Sequence, residues 1–393
     1  MDRLWQLGVR VVIAALVVSA CAPGRDAGLD EPSPPPVADP SDLRVSAAGW
    51  RTDFTKASVN LGEFFAGGPP KDGIPAIDAP RYESIADARR WLSDKSPVIA
   101  LAIEQEARAY PLAVLMWHEI VNDTLGDVPV VVTFCPLCNT ALVFDREIDG
   151  LVHDFGTTGN LRISDLVMYD RQTESWWQQA TGEAIVGELT GTFLGFRPAQ
   201  IVGLADFERA YPNGSVLSRE TGHVRAYGRN PYAGYDTIDQ NPFQFEETPR
   251  AGPLPPKERV VTVAGDTGAV AVPFSELRTV GVADVTVDGD PLVVLWAPGT
   301  ASALNKVTID DSRDIGATGV FRPLVDGRRL TFLRKGGEDA SIRDRETGST
   351  WSILGIAIDG ELEGAALEPV AHANHFWFSW AAFAPETTIW TAD

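Results

Sequence analysis

The sequence predicts a β-rich α+β protein made of two tandem, similar halves, mostly antiparallel strands with a few short helices. Three observations predict it. Short β-branched runs are separated by Gly, Asp and Pro, helical periodicity is confined to a few brief stretches, and a long stretch of the chain recurs later at a slowly drifting offset.

The chain opens with Arg3 and Arg10 around a short start, then an apolar run, Val11 to Val18, too short to span a bilayer. It ends Val18-Ser19-Ala20-Cys21, which resembles a bacterial lipobox. Residues 1–21 are therefore expected to be a lipoprotein signal peptide, with Cys21 carrying lipid and the protein anchored to the membrane on its extracytoplasmic side. Residues 22–45, rich in Pro, Asp and Ser, read as a disordered tether, because such a segment buries too little apolar area to offset its chain entropy.

The folded part is expected to begin near Trp50. Residues 50–220 form the N-terminal half, 221–257 a connector rich in Gly, Pro and Tyr, and 258–393 the C-terminal half. Val98 to Ile103 and Ala107 to Tyr110 alternate about Glu104-Gln105-Glu106 as a hairpin, and Val128 to Phe134 is continuous enough to be buried on both faces. Thr140 to Phe144, Leu151 to Phe155 and Leu166 to Tyr169 read as further short strands. Ser84 to Leu92, Pro111 to Trp117 and Leu204 to Tyr211 read as short helices. The connector, with Tyr227, Tyr232 and Tyr235, reads as a surface link rather than a lid.

The internal match runs from about 96–220 to 258–390. Val98-Ile99-Ala100-Leu101 faces Val260-Val261-Thr262-Val263 at an offset of 162, and Ala141-Leu142 faces Ala303-Leu304. Asp154 to Gly159 faces Asp314 to Gly319 at 160, and Asp170-Arg171-Gln172-Thr173 faces Asp344-Arg345-Glu346-Thr347 at 174. Residues present in both copies serve the shared fold; residues in one copy are the better functional candidates. Cys135 and Cys138 belong to the second kind, as do His118, facing Val280, and His153, facing Arg313.

Net charge is −21, with 33 Lys+Arg against 54 Asp+Glu, which argues against nucleic acid and against lying on anionic lipid. Three cysteines, one assigned to lipid, exclude a disulfide-stapled scaffold. No nucleotide-binding loop or nucleophile elbow is present. The remaining pair, Cys135 and Cys138, suits a strained disulfide, a thiol–disulfide shuttle or a soft metal. Cys135 ends a strand instead of opening a helix, so a lowered thiol pKa is not expected. His118, His372 and His375 are the candidate extra ligands, for Cu(I) or Zn(II), and His118 is also the candidate base beside the thiols.

His118-Glu119-Ile120-Val121-Asn122-Asp123, Thr133-Phe134-Cys135-Pro136-Leu137-Cys138-Asn139-Thr140, Phe155-Gly156-Thr157-Thr158-Gly159 and Phe376-Trp377-Phe378-Ser379-Trp380 closely resemble the bacterial and archaeal domain-of-unknown-function family 3179. Ser379 stands where Ala is expected. Some members of that family are predicted selenoproteins at the Cys-x-x-Cys site, so the resemblance implies redox chemistry but no substrate. Three readings follow: a thiol–disulfide redox protein acting on an unknown partner, a copper- or zinc-binding envelope protein served by a metal donor, and a non-catalytic ligand-binding module with a pocket between the halves.

Overall fold

The computed structural model describes residues 38–243, 245, 254–334 and 341–392. Residues 1–21, expected to be a signal peptide with lipidated Cys21, and residues 22–37 of the expected tether lie outside them. Residues 38–45, also assigned to the tether, fold back onto the domain: the Ala38 N–H bonds the Thr55 carbonyl, and Leu43 and Val45 pack near Phe54, Phe64 and Trp176.

The chain is 40% strand and 11% helix. It runs through β1 (Phe64–Ala66), β2 (Tyr82–Ser84), α1 (Ile85–Ala88), β3 (Pro97–Ile103), β4 (Glu106–Pro111) and α2 (Leu112–Leu115). Next come β5 (Ile120–Leu125), β6 (Val128–Cys135), β7 (Thr140–Asp145), β8 (Glu147–Ile148) and β9 (Leu151–Val152). Then follow β10 (Phe155–Arg162), β11 (Asp165–Asp170), β12 (Trp176–Gln178), β13 (Glu183–Val186) and β14 (Phe196–Arg197). The first half closes with β15 (Gln200–Gly203), α3 (Leu204–Ala210) and β16 (Ser215–Leu217). Its strands make three larger sheets, β15-β3-β4-β16-β2, β14-β7-β6-β5 and β1-β10-β11-β12-β13, and a two-stranded ribbon, β8-β9.

The middle sheet decides where the thiols go. Side chains alternate along a strand, so Val130, Val132 and Phe134 of β6 enter a core with Ile99, Leu101 and Tyr110. Val131 and Cys135 point the other way, into a core with Phe155, Met168 and Trp177. The expected two-faced burial of this strand is what the structure shows.

The second half contains β17 (Arg259–Ala264), β18 (Ala269–Pro273), α4 (Phe274–Val280), β19 (Val282–Val287), β20 (Asp290–Ala297) and β21 (Ala317–Arg322). It continues with β22 (Leu324–Val325), β23 (Arg328–Arg329), β24 (Phe332–Arg334), β25 (Ile342–Asp344), β26 (Thr350–Trp351) and β27 (Ala357–Asp359). It ends with β28 (Glu368–Pro369), β29 (Ala373–Phe376), α5 (Trp377–Phe383) and β30 (Thr388–Ile389). Val98 pairs with Pro111 as Val260 pairs with Pro273, and Ile120 with Thr133 as Val282 with Leu295. Gln200 pairs with Ala100 as Ala373 pairs with Thr262.

One part of the expected alignment is corrected. Cys135 pairs with Thr140 across a turn at 136–139, whereas Ala297 pairs with Ala317 across the much longer segment 298–316. Beyond that point the register offset is 177 (317 − 140), not 160 or 162. Ala317 to Gly319 therefore occupies the place of β7, not of β10, and Ala303-Leu304 lies in the long loop. By this register His153 stands opposite Leu330, not Arg313. The short Asp-x-Gly-x-Thr-Gly likeness misled because an insertion shifts everything after it.

Candidate functional site

Cys135 is the last residue of β6 and Cys138 the third residue of the turn into β7. Asn139 closes that turn at φ 54°, and its N–H bonds the Pro136 carbonyl at 3.3 Å. Neither cysteine opens a helix, but the first turn of α5 (Trp377–Phe383) lies beside Cys138 through Ser379, its third residue. Both thiols are free and buried.

The β10–β11 hairpin meets them from across the core. It turns in two residues, Ile163 at φ 54° and Ser164 at φ 60°, with Arg162 paired to Asp165. Two positive φ angles define a type I′ turn, which normally takes Asn-Gly. A β-branched residue in that conformation is strained, and such strain concentrates at functional sites. The turn presents the Ser164 carbonyl to both sulfurs, 3.3 Å from Cys138 Sγ and 4.0 Å from Cys135 Sγ.

Asp165 follows directly. Its carboxyl and the two sulfurs all lie within 4.8 Å of one another, and all three residues are buried. Asp165 Oδ1 accepts from the Gln178 amide and from the Ala180 N–H, while Oδ2 has no nitrogen or oxygen partner among the described residues. Burial pushes the Asp165 pKa up to about 6, against the pull of Gln178, Ala180 and the thiols. Burial also raises both thiols, Cys138 well above its ordinary value, and the nearby Asp165 carboxyl adds to the rise. The Ser379 hydroxyl, brought in by α5 of the second half, pulls Cys138 the other way.

Glu119 is the second acid. It precedes β5 at φ 58°, its carbonyl accepts the Phe134 N–H, and burial raises its pKa to about 8, helped by Asp165. The connector covers the site, contrary to its reading as a surface link. Tyr232 and Tyr235 pack against the core that holds both cysteines, and the Ser164 hydroxyl donates to the Phe243 carbonyl. Bulky aromatics gain more by capping an apolar core than by lying in water.

The histidines do not join the cluster. His118 Nδ1 donates to the Pro75 carbonyl and its Nε2 accepts from the Tyr227 hydroxyl, both at 2.7 Å. With both ring nitrogens occupied, and burial lowering its pKa to about 4, His118 is a structural imidazole and not a base for the thiols. His153 bonds Asp170. His375 Nδ1 lies 2.7 Å from Thr140 Oγ1, and the next residue, Phe376, donates its N–H to the Cys138 carbonyl. His375 thus braces the turn from behind. With His372, whose Nδ1 donates to the Val370 carbonyl, it lines a cleft of 520 Å³ bounded by residues of both halves.

Asp165 and Glu119 were not singled out in the sequence. In the sequence Asp165 is one of several acids between short strands, and Glu119 stands beside the more conspicuous His118. Position gave a signal for Asp165: a two-residue hairpin places the residue after its turn beside whatever the turn faces.

No curated protein and no solved structure matches the chain. A family model does match, over residues 71–387, and the chain belongs to that family, described as a protein of unknown function, DUF3179.

Proposed function

We propose that this is a lipid-anchored envelope protein that holds a divalent, thiophilic metal ion, best matched by zinc, through Cys135, Cys138 and Asp165. The observation that carries the reading is the convergence of two free thiols and a carboxyl within 4.8 Å in a buried site, where one carboxyl oxygen has no nitrogen or oxygen partner among the described residues. The raised pKa values support it. Without metal the two thiols keep their protons beside an Asp165 carboxyl that titrates at about 6; an ion would displace the thiol protons and cancel the repulsion among three anions. Mixed sulfur and carboxylate ligation suits zinc, whereas Cu(I) would leave the carboxylate unused. Three protein ligands would leave a fourth position, the arrangement of zinc sites that take water or substrate, and Glu119, whose buried carboxyl feels Asp165 and Cys135, would be the acid to accept or return a proton there.

The second half lacks these ligands: Ala297 stands in the position of Cys135. The shared registers support a tandem duplication in which one copy kept, or gained, the chemistry.

Thiol–disulfide exchange is the second reading. It is favoured by the contact between the two thiols, each of which shifts the other's pKa through a hydrogen bond. It is opposed by their burial and raised pKa, since the thiolate is the nucleophile.

Competition titration with a chromophoric zinc chelator separates the two. Metal binding predicts one zinc per chain, abolished in Cys135→Ala and Cys138→Ala and weakened at least about tenfold in Asp165→Asn. Equal zinc affinity in Asp165→Asn and the native chain would remove the carboxylate from the site and leave exchange as the better account.

A further inference from the structure

A second pocket, of 330 Å³, lies beside the start of β17. Its walls include Lys257, Arg259, Arg278 and Arg313 against Asp236 and Glu258. Four cations to two carboxylates is a local reversal in a chain of net charge −21.

The two carboxylates are already engaged. Asp236 Oδ2 takes Arg259 at 3.0 Å, Arg313 at 2.8 Å and the Ser302 hydroxyl at 2.6 Å. Glu258 accepts the Ser275 N–H at 2.9 Å. Lys257 is buried and spends one proton on the Tyr235 carbonyl at 2.7 Å. Arg278 is exposed and forms no ion pair among the described residues. Two atoms are left over: Arg259 Nε, a donor, and Asp236 Oδ1, an acceptor, both buried and without a partner among the described residues. Buried polar atoms are rarely left so.

We propose that this pocket binds inorganic phosphate. Excess guanidinium charge with fixed N–H directions suits a tetrahedral oxyanion. The unmatched pair narrows the choice, because Arg259 Nε requires an acceptor and Asp236 Oδ1 requires a donor. Inorganic phosphate at neutral pH offers both, since it still carries a proton. Sulfate carries none, and a phosphate monoester above its second pKa of about 6 has lost its own. The site is separate from the cysteine cluster and its test does not depend on metal.

The test is calorimetric titration of the full chain in detergent, in buffer free of all three anions, with inorganic phosphate, sulfate and glycerol 3-phosphate. The expected result is saturable binding of one phosphate, about tenfold or more tighter than either other anion. Arg278→Gln and Arg313→Gln should each weaken it at least about fivefold with zinc uptake unchanged. Arg278 makes no ion pair among the described residues, so its variant keeps the test valid if Arg313→Gln loosens the fold. Absence of saturable phosphate binding, sulfate bound as tightly as phosphate, or binding indifferent to Arg278→Gln would each overturn the proposal.

Discussion

Glu119 has the pKa of a carboxyl that keeps its proton near neutrality, about 8 against an ordinary 4.5. Between those values the folded chain binds a proton that the unfolded chain releases, so stability falls as pH rises through that window. Asp165 acts in the same direction between 3.8 and about 6. His118 and His375, lowered to about 4 and about 3, act oppositely, but only below their ordinary 6.5. Glu119 therefore dominates between pH 6.5 and 8 in the metal-free protein. Thermal melts with chelator should show the midpoint falling over that range, and Glu119→Gln should flatten the fall. An unchanged slope in the variant would mean that Glu119 ionises normally. At this scale the sequence revealed the two thiols, because Cys-x-x-Cys is a local pattern. It did not reveal Asp165, whose partners are brought to it only by sheet packing, and it favoured histidines whose nitrogens the fold spends on Pro75, Tyr227 and Thr140.

Three turns make predictions at the scale of the element. Ile163 occupies a left-handed position that Asn accepts far better. Ile163→Asn should stabilise the metal-free protein by about 1 kcal/mol in urea unfolding. A loss of stability would show that packing of the isoleucine outweighs its backbone strain. In the other two turns, Asp170 accepts from the Thr173 N–H and Trp177 Nε1, and Asp344 from the Thr347 N–H and Trp351 Nε1. Removing either carboxylate strands buried donors. Asp344→Ala should cost about 2–3 kcal/mol, and Asp170→Ala more, because it also frees His153. Equal losses on denaturant unfolding would show that His153 contributes nothing. The Asp-Arg-x-Thr likeness was legible because both turns use the same residues for the same hydrogen bonds. The 154–159 match was not, because six similar residues carry no record of the longer loop at 298–316.

At the scale of the whole molecule, the halves share one core: Val98, Ala100 and Val202 of the first pack in the same cluster as Val293, Leu295 and Phe321 of the second. The strand-rich character and the two-faced burial of β6 could be read from β-branched runs, which depend on local sequence. The closure of the cysteine site by Tyr232, Tyr235 and Ser379 could not, since those residues come from the connector and the second half and meet the thiols only in the assembled chain.

The central claim is that the buried thiols and Asp165 form a metal site. It is tested most directly by elemental analysis with thiol counting on the full chain, exported, extracted in detergent and purified without chelator. The account predicts one equivalent of zinc per chain, with Cys135 and Cys138 unreactive to thiol reagents until the metal is stripped. A metal-free protein with the two cysteines joined in a disulfide that mild reductant opens reversibly would contradict it.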